Sequence, residues 1–429
     1  MARSADAGGS AVEGMQAVAG GKRQSIYFVL VTIFIDAMSY GIAGPVLPRL
    51  IMNVGQVDIS RAIQFAGWMT ASFAMVQFFM GPVIGNLSDR FGRRPVLLLA
   101  LSGLVLNFLL LSVAHSLTLL FVGQMLGGMF GGTLGTCQAA IADMTAKEDR
   151  AHNFSLVGAA FGLGFIVGPA IGGLLGSYGE RVPFLAAALL TFVSLLYGWF
   201  VFPDTLRAEH RRAFDWRRAN PLGAWKSMRA MQGMTAAVAV VMLWNIAGAV
   251  YPLTWPYYGI ARFNWTSGMI GASLAVVGVI TALSQAFLTR RIVARHGERN
   301  AATFGMIGGI LTFIGYAFVT ESWMAFAIMI GFIPQSMVGP ALTAILANRA
   351  SANAQGEIQG IAAMAQGIGG VIAPLLINPT MAYFTSPQAP FQFAGAGFVV
   401  ATIFAVIALA RLATLPRAPA LREALVPGR

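Results

Sequence analysis

The amino-acid sequence predicts an all-α membrane protein in which twelve transmembrane helices form two pseudo-symmetric six-helix bundles. Three observations support this fold class: the composition, a series of long apolar segments, and a basic motif repeated at about half the chain length. Hydrophobic residues make up 57% of the 429 residues and charged residues only 10%, whereas soluble domains are about a quarter charged. The 50 glycines also fit a membrane protein, because small residues let transmembrane helices pack closely.

The apolar segments are each about 20 residues long, enough for a helix to cross roughly 30 Å of hydrocarbon. Twelve spans are predicted, at residues 26–48, 63–85, 95–113, 118–141, 153–176, 183–202, 233–258, 267–289, 300–320, 323–345, 356–377 and 391–414. The widest interruption is rich in arginine and separates six spans from the other six. The predicted organisation is a disordered cytoplasmic tail (1–24), an N-terminal bundle (25–202), a cytoplasmic linker (203–232), a C-terminal bundle (233–414) and a cytoplasmic tail (415–429).

The basic residues predict the orientation, because cytoplasmic loops of membrane proteins carry an excess of lysine and arginine. If the N-terminus is cytoplasmic, 24 of the 28 basic residues fall on the inner side. The four that fall outside are Arg49, Arg61, Arg181 and Arg262. Both termini are therefore predicted to be cytoplasmic.

A short motif supports two homologous halves. Between spans 2 and 3 the chain has Arg90-Phe-Gly92-Arg93-Arg94, and between spans 8 and 9 it has Arg295-His-Gly297-Glu298-Arg299. The two copies lie 205 positions apart, at equivalent places in the two halves. Parallel halves of this kind place a substrate site at their interface near the middle of the membrane.

Several function classes are excluded by composition and spacing. The net charge of +12 does not indicate a nucleic-acid partner, because 24 of the 28 basic residues are predicted to lie on one side of the membrane, between or beyond the spans. Cys137 is the only cysteine, the four histidines are scattered, and none of the three lysines follows a phosphate-binding glycine loop. No cofactor, metal site or ATP-driven pumping is therefore expected. A membrane-embedded enzyme or sensor is a weaker alternative, because no Ser/His/Asp or metal-ligand cluster lies within the spans.

Asp36 is the only acidic residue predicted to lie in the middle of a span. A carboxylate there costs about 2.5–3.5 kcal/mol on translocon scales, so a function is expected. Desolvation favours the protonated form, and a group that is protonated when it faces an acidic exterior can carry a proton inward. Tyr40 lies one turn later on the same helical face and could hydrogen-bond the carboxylate or a substrate. The alternative is that Asp36 only caps or pairs with a neighbouring helix.

Aromatic and amide side chains are the other polar content of the spans. They suit a flat, amphipathic organic molecule, including a cationic one, through stacking and a few amide hydrogen bonds. These residues are Trp244, Asn245, Tyr251, Trp255, Tyr257 and Tyr258 in span 7, Gln285 in span 8 and Gln335 in span 10. Trp255, Tyr257 and Tyr258 could instead form an outer aromatic belt, and the glutamines could pair with other helices.

Spans 2 and 3 are joined by a charged hairpin, Gly81-Pro-Val-Ile-Gly85-Asn-Leu-Ser-Asp89-Arg90-Phe-Gly92-Arg93-Arg94-Pro95. Gly81 and Pro82 are expected to loosen the end of span 2, and Gly92 to allow a tight reversal. The string closely resembles the loop between helices 2 and 3 of major facilitator superfamily transporters, above all the bacterial tetracycline/proton antiporters. The resemblance implies that Asp89 meets the start of span 11 when the cytoplasmic side is closed. The implied conformational gate comprises Gly85, Asp89, Arg90, Gly92 and Arg93.

The resemblance covers nearly the whole chain and is stronger in the first half. Span 1 has Phe34-Ile-Asp36-Ala-Met-Ser-Tyr40 and ends in Pro45-Val-Leu-Pro48, similar to the first helix of these exporters. Span 5 has the pattern G-x-x-x-G-P-x-x-G-G, which marks antiporters in this superfamily and implies export. Its residues here are Gly164, Gly168, Pro169, Gly172 and Gly173. The spacing of these glycines also makes a smooth face for helix packing.

Four ionisable groups of the tetracycline exporters are missing from this sequence. Those exporters carry an aspartate in span 3, an arginine in span 4, a histidine in span 8 and an aspartate in span 9. By register, these positions are Asn107, Gln124, Thr281 and Gly309. The resemblance therefore implies an exporter fold, but recognition of a metal–tetracycline complex does not follow. In the exporters, a span-4 arginine is implied to help expel the proton. This implication does not carry over, because the position is Gln124 here.

The sequence thus predicts a secondary active exporter of small amphipathic compounds, tetracycline-like drugs among them, that works by proton antiport and alternating access. The alternative is a transporter of one dedicated metabolite or siderophore with different or no proton coupling. Asp36 is the candidate for proton coupling, and the substrate-binding candidates are Asp36, Tyr40, Asn107, Gln124, Trp244, Asn245, Thr281, Gln285 and Gln335. The expected partners are the substrate, protons and the lipid bilayer. A non-enzymatic monomer in the bacterial inner (plasma) membrane is expected.

Overall fold

The computed structural model describes residues 26–146, 149–206, 209, 211–216, 234–349 and 355–416. All regular elements in these ranges are helices, and none of the described residues forms a strand. Eleven helical segments are long and apolar enough to cross a membrane, and one of them, Ser267–Phe318, has 52 residues. A break at Gly297, with φ of 78°, divides that segment into two spans. The predicted all-α membrane fold is therefore confirmed. The predicted tail at 1–24, residues 217–232 of the linker and residues 417–429 lie outside the described residues.

The helices of the first half follow the order of the predicted spans. They are α1 (Ile26–Ala43), α2 (Leu47–Gly55), α3 (Ile59–Phe91), α4 (Arg93–Val113), α5 (Leu117–Phe130), α6 (Thr133–Met144), α7 (Arg150–Leu175) and α8 (Val182–Val201). Span 1 is α1, spans 2 and 3 are α3 and α4, span 4 is α5 with α6, and spans 5 and 6 are α7 and α8. The short α2 lies between spans 1 and 2.

The helices of the second half are α9 (Met234–Gly248), α10 (Val250–Phe263), α11 (Ser267–Ser284), α12 (Arg290–Phe318), α13 (Ser322–Ile328), α14 (Phe332–Gln335), α15 (Val338–Ala347), α16 (Gln355–Thr385) and α17 (Ala396–Thr414). Span 7 is α9 with α10, span 8 is α11, and span 9 is the part of α12 after Gly297. Span 10 is α13 to α15, and spans 11 and 12 are α16 and α17.

The end of α3 differs from the prediction. Gly81 and Pro82 do not end span 2 near residue 85, because α3 continues to Phe91. A proline lacks only one backbone N–H, and the remaining backbone groups of a membrane helix have no water as an alternative partner. The chain reverses at Gly92, as predicted, with φ of 104°, a conformation that glycine adopts readily.

Span 4 is not the continuous helix that the sequence predicts. Gly131 and Gly132 have ψ angles of 11° and 9°, which are not helical, and they separate α5 from α6. Each glycine costs an α-helix about 1 kcal/mol relative to alanine, so a pair of them is a weak point. Helix α6 therefore starts anew at Thr133, and its first backbone N–H groups have no helical partner at that level.

The two halves are held together toward one face. The face where α1 begins is called the inner face, since the basic residues predict that it is cytoplasmic, and the opposite face is called the outer face. Helix α3 packs along α16, and α7 packs along α11. Among the described residues, three hydrogen bonds join the halves, all toward the outer face: Arg49 Nη2 to Trp265 O (3.2 Å), Ser60 Oγ to Ala382 O (2.7 Å) and Asn378 Nδ2 to Ile63 O (3.1 Å).

The inner face is more open. A methyl group added at Gly81 or Gly85 on α3, or at Gly339 on α15, would meet no atom within 4 Å. Among the described residues, the hydrogen bonds between the halves therefore lie toward the outer face, and none lies toward the inner face.

The aromatic residues at the end of span 7 form neither an outer belt nor a lining. Trp255, Tyr257 and Tyr258 are only 2%, 3% and 0% exposed, so they are part of the core of the second half. Trp255 Nε1 donates to Ser273 Oγ at 2.8 Å, and Tyr258 Oη donates to Tyr316 O at 2.6 Å. The outer belt is therefore wrong for these three residues, because neighbouring helices cover the rings, and none of the three lines an open cavity in this structure.

Candidate functional site

The start of α6 faces the carboxylate of Asp36 on α1. Thr133 Oγ1 donates to Asp36 Oδ2 at 2.6 Å, while Asp36 Oδ1 is buried and has no hydrogen-bond partner among the described residues. The N-terminus of a helix carries partial positive charge and favours an anion. No lysine or arginine in the described chain is ion-paired with Asp36, so the hydroxyl of Thr133 is the one described hydrogen-bond donor to the carboxylate.

Tyr40 and Gln77 meet at the same break in span 4. Gln77 Nε2 donates to Gly131 O at 3.3 Å, and the Tyr40 hydroxyl is buried without a hydrogen-bond partner in the described part of the chain. Both groups lie 3.0 Å from the point that a Cβ at Gly131 would occupy, so glycine leaves the space that they use. The hydrogen bond expected between Tyr40 and Asp36 is not formed in this structure.

Gln77 and Thr133 were missed by the sequence reasoning. Thr133 lies in an apolar span, and nothing in its immediate neighbours distinguishes it from a packing threonine. The adjacent Gly131-Gly132 pair was the available signal, because it marks the weak point where a half-helix can begin. For Gln77, the available signal was an amide within the apolar sequence of span 2.

Asn107, in span 3, adds a further polar side chain beside the first helix of span 4. Asn107 on α4 is 2% exposed, and its Nδ2 lies 3.2 Å from the point where a Cβ at Gly127 would be. Its Oδ1 has no hydrogen-bond partner. The ring of Tyr40 packs edge-on against Phe73 and Phe108, with ring centroids 6.3 and 6.0 Å away. Gln124 is half-buried on α5, the half-helix that carries Gly127.

The second half contributes a separate group around Gly309. A Cβ at Gly309 would lie only 2.6 Å from Trp244 Cη2 and 3.6 Å from the amide carbon of Gln335. The aspartate that the tetracycline exporters carry at this position would therefore overlap with Trp244. Tyr251 donates its hydroxyl hydrogen to Gln335 Oε1 at 3.2 Å. This region of the site is aromatic and amide in character.

Three of the sequence candidates are less well placed. Asn245 has a buried Nδ2 without a partner, and its Cβ lies 3.7 Å from the point where a Cβ at Gly369 on α16 would be. Thr281 is half-buried, and Gln285 is exposed at the start of a π-helical turn. No hydrogen bond within the described residues joins Thr281 or Gln285 to the other candidates. The structure thus gathers one polar group in each half and leaves these two apart. Among the described residues, no group of three potential metal ligands is found.

The charged hairpin forms an ion cluster at the inner face. Arg93 Nη1 lies 2.6 Å from Asp89 Oδ1, and Arg93 Nε lies 2.9 Å from Asp143 Oδ2. The backbone N–H of Arg93 donates to Asp204 Oδ1 at 3.0 Å. The guanidinium of Arg90 lies over the ring of Phe91 at 5.0 Å. Asp89 pairs with Arg93 on the open inner face, and its contact with span 11 in a closed state stays a prediction.

Helix α7 uses its glycines for close contact on two sides. A Cβ at Gly168 would lie 2.5 Å from Met38 O on α1. Gly164 and Gly172 make equally close approaches to the backbone of α1. On the other side, Gly173 would meet Ser267 O of α11 at 2.6 Å. The glycine motif of span 5 therefore joins α1, which carries Asp36, to a helix of the second half.

Comparison with known proteins places this arrangement in a family. Residues 29–374 match the family model of the Major Facilitator Superfamily. The chain belongs to the Major Facilitator Superfamily. The class C tetracycline resistance protein of Escherichia coli is 38% identical over 354 residues, which cover 82% of this chain and 89% of that protein. Multidrug resistance protein 2 of Bacillus subtilis is 25% identical over 388 residues, 88% of this chain and 94% of that protein.

The fold comparison agrees. The crystal structure of the human organic anion transporter MFSD10 has a TM-score of 0.68 at 21% identity, over 91% of this chain and 99% of that one. The resemblance to the tetracycline exporters of the superfamily is confirmed by sequence, and the shared fold by structure. This member of the Major Facilitator Superfamily is a multi-pass membrane transporter.

Proposed function

We propose that this transporter exports small amphipathic organic compounds in exchange for protons, and that Asp36 is the group that binds the proton. The observation that carries the proposal is the carboxylate of Asp36 at the break in span 4, with one oxygen bonded to Thr133 and the other without a partner. The names of the relatives support export, since they are tetracycline and multidrug resistance proteins. In the proposed orientation, both termini and the inner face are cytoplasmic.

The chemistry of the proposal follows from the two oxygens of Asp36. Thr133 donates to Oδ2, and it can keep this bond whether or not Oδ1 carries a proton. Oδ1 can therefore take up a proton or face a cationic group of the substrate without rearranging α6. A proton and a cationic substrate compete for the same oxygen, and that competition couples their movements.

The surroundings of Asp36 suit an amphipathic molecule. Tyr40 has a hydroxyl without a partner, Gln77 supplies an amide, and Phe73 supplies an aromatic wall. The second half adds the ring of Trp244 and the hydrogen-bonded pair of Tyr251 and Gln335. Such a lining binds by stacking and by a few oriented hydrogen bonds.

A second candidate function is a transporter of one dedicated metabolite without proton coupling. The observation that favours it is the absence of the exporters' ionisable groups, with Asn107 in span 3 and Trp244 filling the space beside Gly309. Growth of a drug-hypersensitive bacterium that expresses this chain, across a panel of compounds, separates the two functions. Protection against several unrelated amphipathic drugs supports the exporter, and protection against none supports the dedicated transporter.

The proton-coupling proposal is tested with Asp36→Asn in reconstituted liposomes, using a substrate identified by the panel. The variant is expected to bind substrate at least weakly and to lose uptake driven by a pH gradient. The matched control is Asp58→Asn, which also removes one carboxylate, at the start of α3. Asparagine caps a helix as well as aspartate does, so this control should transport normally. Gradient-driven transport in Asp36→Asn would make Asp36 a structural residue.

A further inference from the structure

The inner face of the second half contains a cavity that the proposed export function does not use. It has a volume of about 320 Å³ and lies at the second copy of the repeated motif, where α12, α15 and α17 come together. Its polar walls are His296, Glu298, Arg299, Asn300, Asn348 and Arg349. Its apolar walls are Ile345, Leu412 and Leu415. Most of the lining residues are polar, and two of them are arginines.

Among the residues that the structure describes, the two arginines of the cavity have no carboxylate partner. Arg299 donates to the carbonyl oxygens of Leu412, Ala413 and Leu415 at the end of α17, at 2.7 to 2.9 Å. Arg349 donates to Pro416 O and Ile345 O. Within the described residues, neither guanidinium forms an ion pair. A guanidinium has five N–H donors, so Arg349 keeps donors for a further ligand.

The electrostatics of the cavity favour an anion. Burial and the nearby charge of Arg299 both lower the pKa of Arg349 below its usual value, which reflects two like charges placed close together. Glu298 also lines the cavity, but its Oε1 accepts a hydrogen bond from Asn348 Nδ2 at 2.8 Å rather than pairing with an arginine.

We propose that Arg299 and Arg349 bind the phosphate group of an anionic phospholipid in this cavity. Guanidinium groups bind phosphate oxygens through two parallel hydrogen bonds, and basic pockets between membrane helices bind anionic headgroups. A lipid is favoured over free phosphate because the cavity lies where three membrane helices end at the inner face, which is the level of the lipid headgroups. The proposal does not depend on the role of Asp36.

The test measures the stabilisation of the purified full-length protein by added lipid in detergent. Phosphatidylglycerol is expected to raise the unfolding temperature of the wild type, and phosphatidylcholine is not. In Arg349→Gln the apparent affinity for phosphatidylglycerol should be about fivefold weaker, the effect of one basic side chain near an anionic surface. The matched control is Arg411→Gln, which removes an exposed arginine from the last turn of α17, outside the cavity. Its response should equal that of the wild type.

Two outcomes overturn the proposal. If Arg349→Gln and Arg411→Gln respond equally to phosphatidylglycerol, the cavity is not the site. If inorganic phosphate at millimolar concentration stabilises the wild type as much as the lipid does, the ligand is a soluble anion. Should Arg349→Gln fail to fold, Asn300→Asp adds a negative charge at an exposed position of the cavity wall. This variant should also weaken the response to phosphatidylglycerol, and an unchanged response would overturn the proposal.

Discussion

The two inner turns of the molecule share a backbone geometry. Gly92 and Gly297 occupy equivalent positions in the two halves, and their φ angles are 104° and 78°. Arg94 follows the first turn and donates to a carbonyl near the end of span 6, while Arg299 follows the second and donates to carbonyls near the end of span 12. In each half, a glycine makes the reversal, and an arginine two positions later caps the last helix of that half.

Their electrostatics differ. In the first turn, Arg93 pairs with Asp89 and Asp143, and the positive charge is compensated. In the second, Glu298 takes the position of Arg93, and the arginines of the cavity have no carboxylate within 4 Å among the described residues. A repeated backbone motif therefore need not carry the same charges. The first turn holds an ion cluster, and the second leaves its arginines without a described ion pair.

The largest expected difference between the turns comes from removing an arginine. Arg93 is 8% exposed, and Arg93→Gln leaves two carboxylates without their partner, so a loss of about 3 kcal/mol in the free energy of unfolding is expected. Arg299→Gln leaves no described carboxylate without its partner. It should lower the free energy of unfolding by about 1–2 kcal/mol through weaker capping of α17. Denaturant unfolding in detergent compares the two variants. Equal losses would show that the ion cluster does not stabilise the first turn.

A smaller difference is expected between the two glycines. Both Gly92→Ala and Gly297→Ala place a side chain at positive φ, a strain of about 1–2 kcal/mol. A methyl group at Gly297 meets nothing within 4 Å, whereas one at Gly92 would overlap with the Asp204 carboxylate. Gly92→Ala should therefore lose about 1 kcal/mol more, because Asp204 no longer accepts from the first N–H of α4. Equal shifts in unfolding temperature would mean that Asp204 is not held at this position.

The smallest effect on stability, and the most specific effect on function, is expected for Asp89→Asn. The Asp89 side chain is 43% exposed, so losing its charge should cost about 0.3–0.5 kcal/mol. If Asp89 meets the start of α16 in the closed inner state, the variant should fold but transport poorly, with fewer molecules open to the outer face. Glu321→Gln, at an exposed position before α13, is the matched control. Transport at the wild-type rate in Asp89→Asn would leave the hairpin with a role in topology alone.

The order of the spans could be predicted from sequence because each span is a local property, about 20 apolar residues between charged loops. The reversal at Gly92 and the placement of Asp36 within a span follow from equally local rules. The continuation of α3 beyond Pro82 could not be predicted, because the cost of one missing N–H must be weighed against the absence of water around the helix.

The contacts of the site were harder to predict, because they join residues far apart in sequence. Thr133 reaches Asp36 only because span 4 breaks at Gly131, and the bond spans 97 positions. The contact of Asp204 with the N–H of Arg93 spans 111 positions. Trp244 packs against Gly309 and fills the space that an aspartate side chain would need. From the sequence alone, only the absence of the aspartate could be seen.

The three hydrogen bonds that close the outer face have a common chemistry. In each case a side chain of one half donates to a backbone carbonyl of the other: Trp265, Ala382 and Ile63 supply the acceptors. A carbonyl has two lone pairs, and those of Ile63 and Ala382 lie in helices, where the backbone can use one of them. Separating the halves at this face would therefore break no ion pair among the described residues, and water would have to solvate one guanidinium, one hydroxyl and one amide. The polar part of the outer contact thus depends on the backbone of each half and not on paired charges, so substitution of the side chains at the residues that supply the acceptors would leave these acceptors in place.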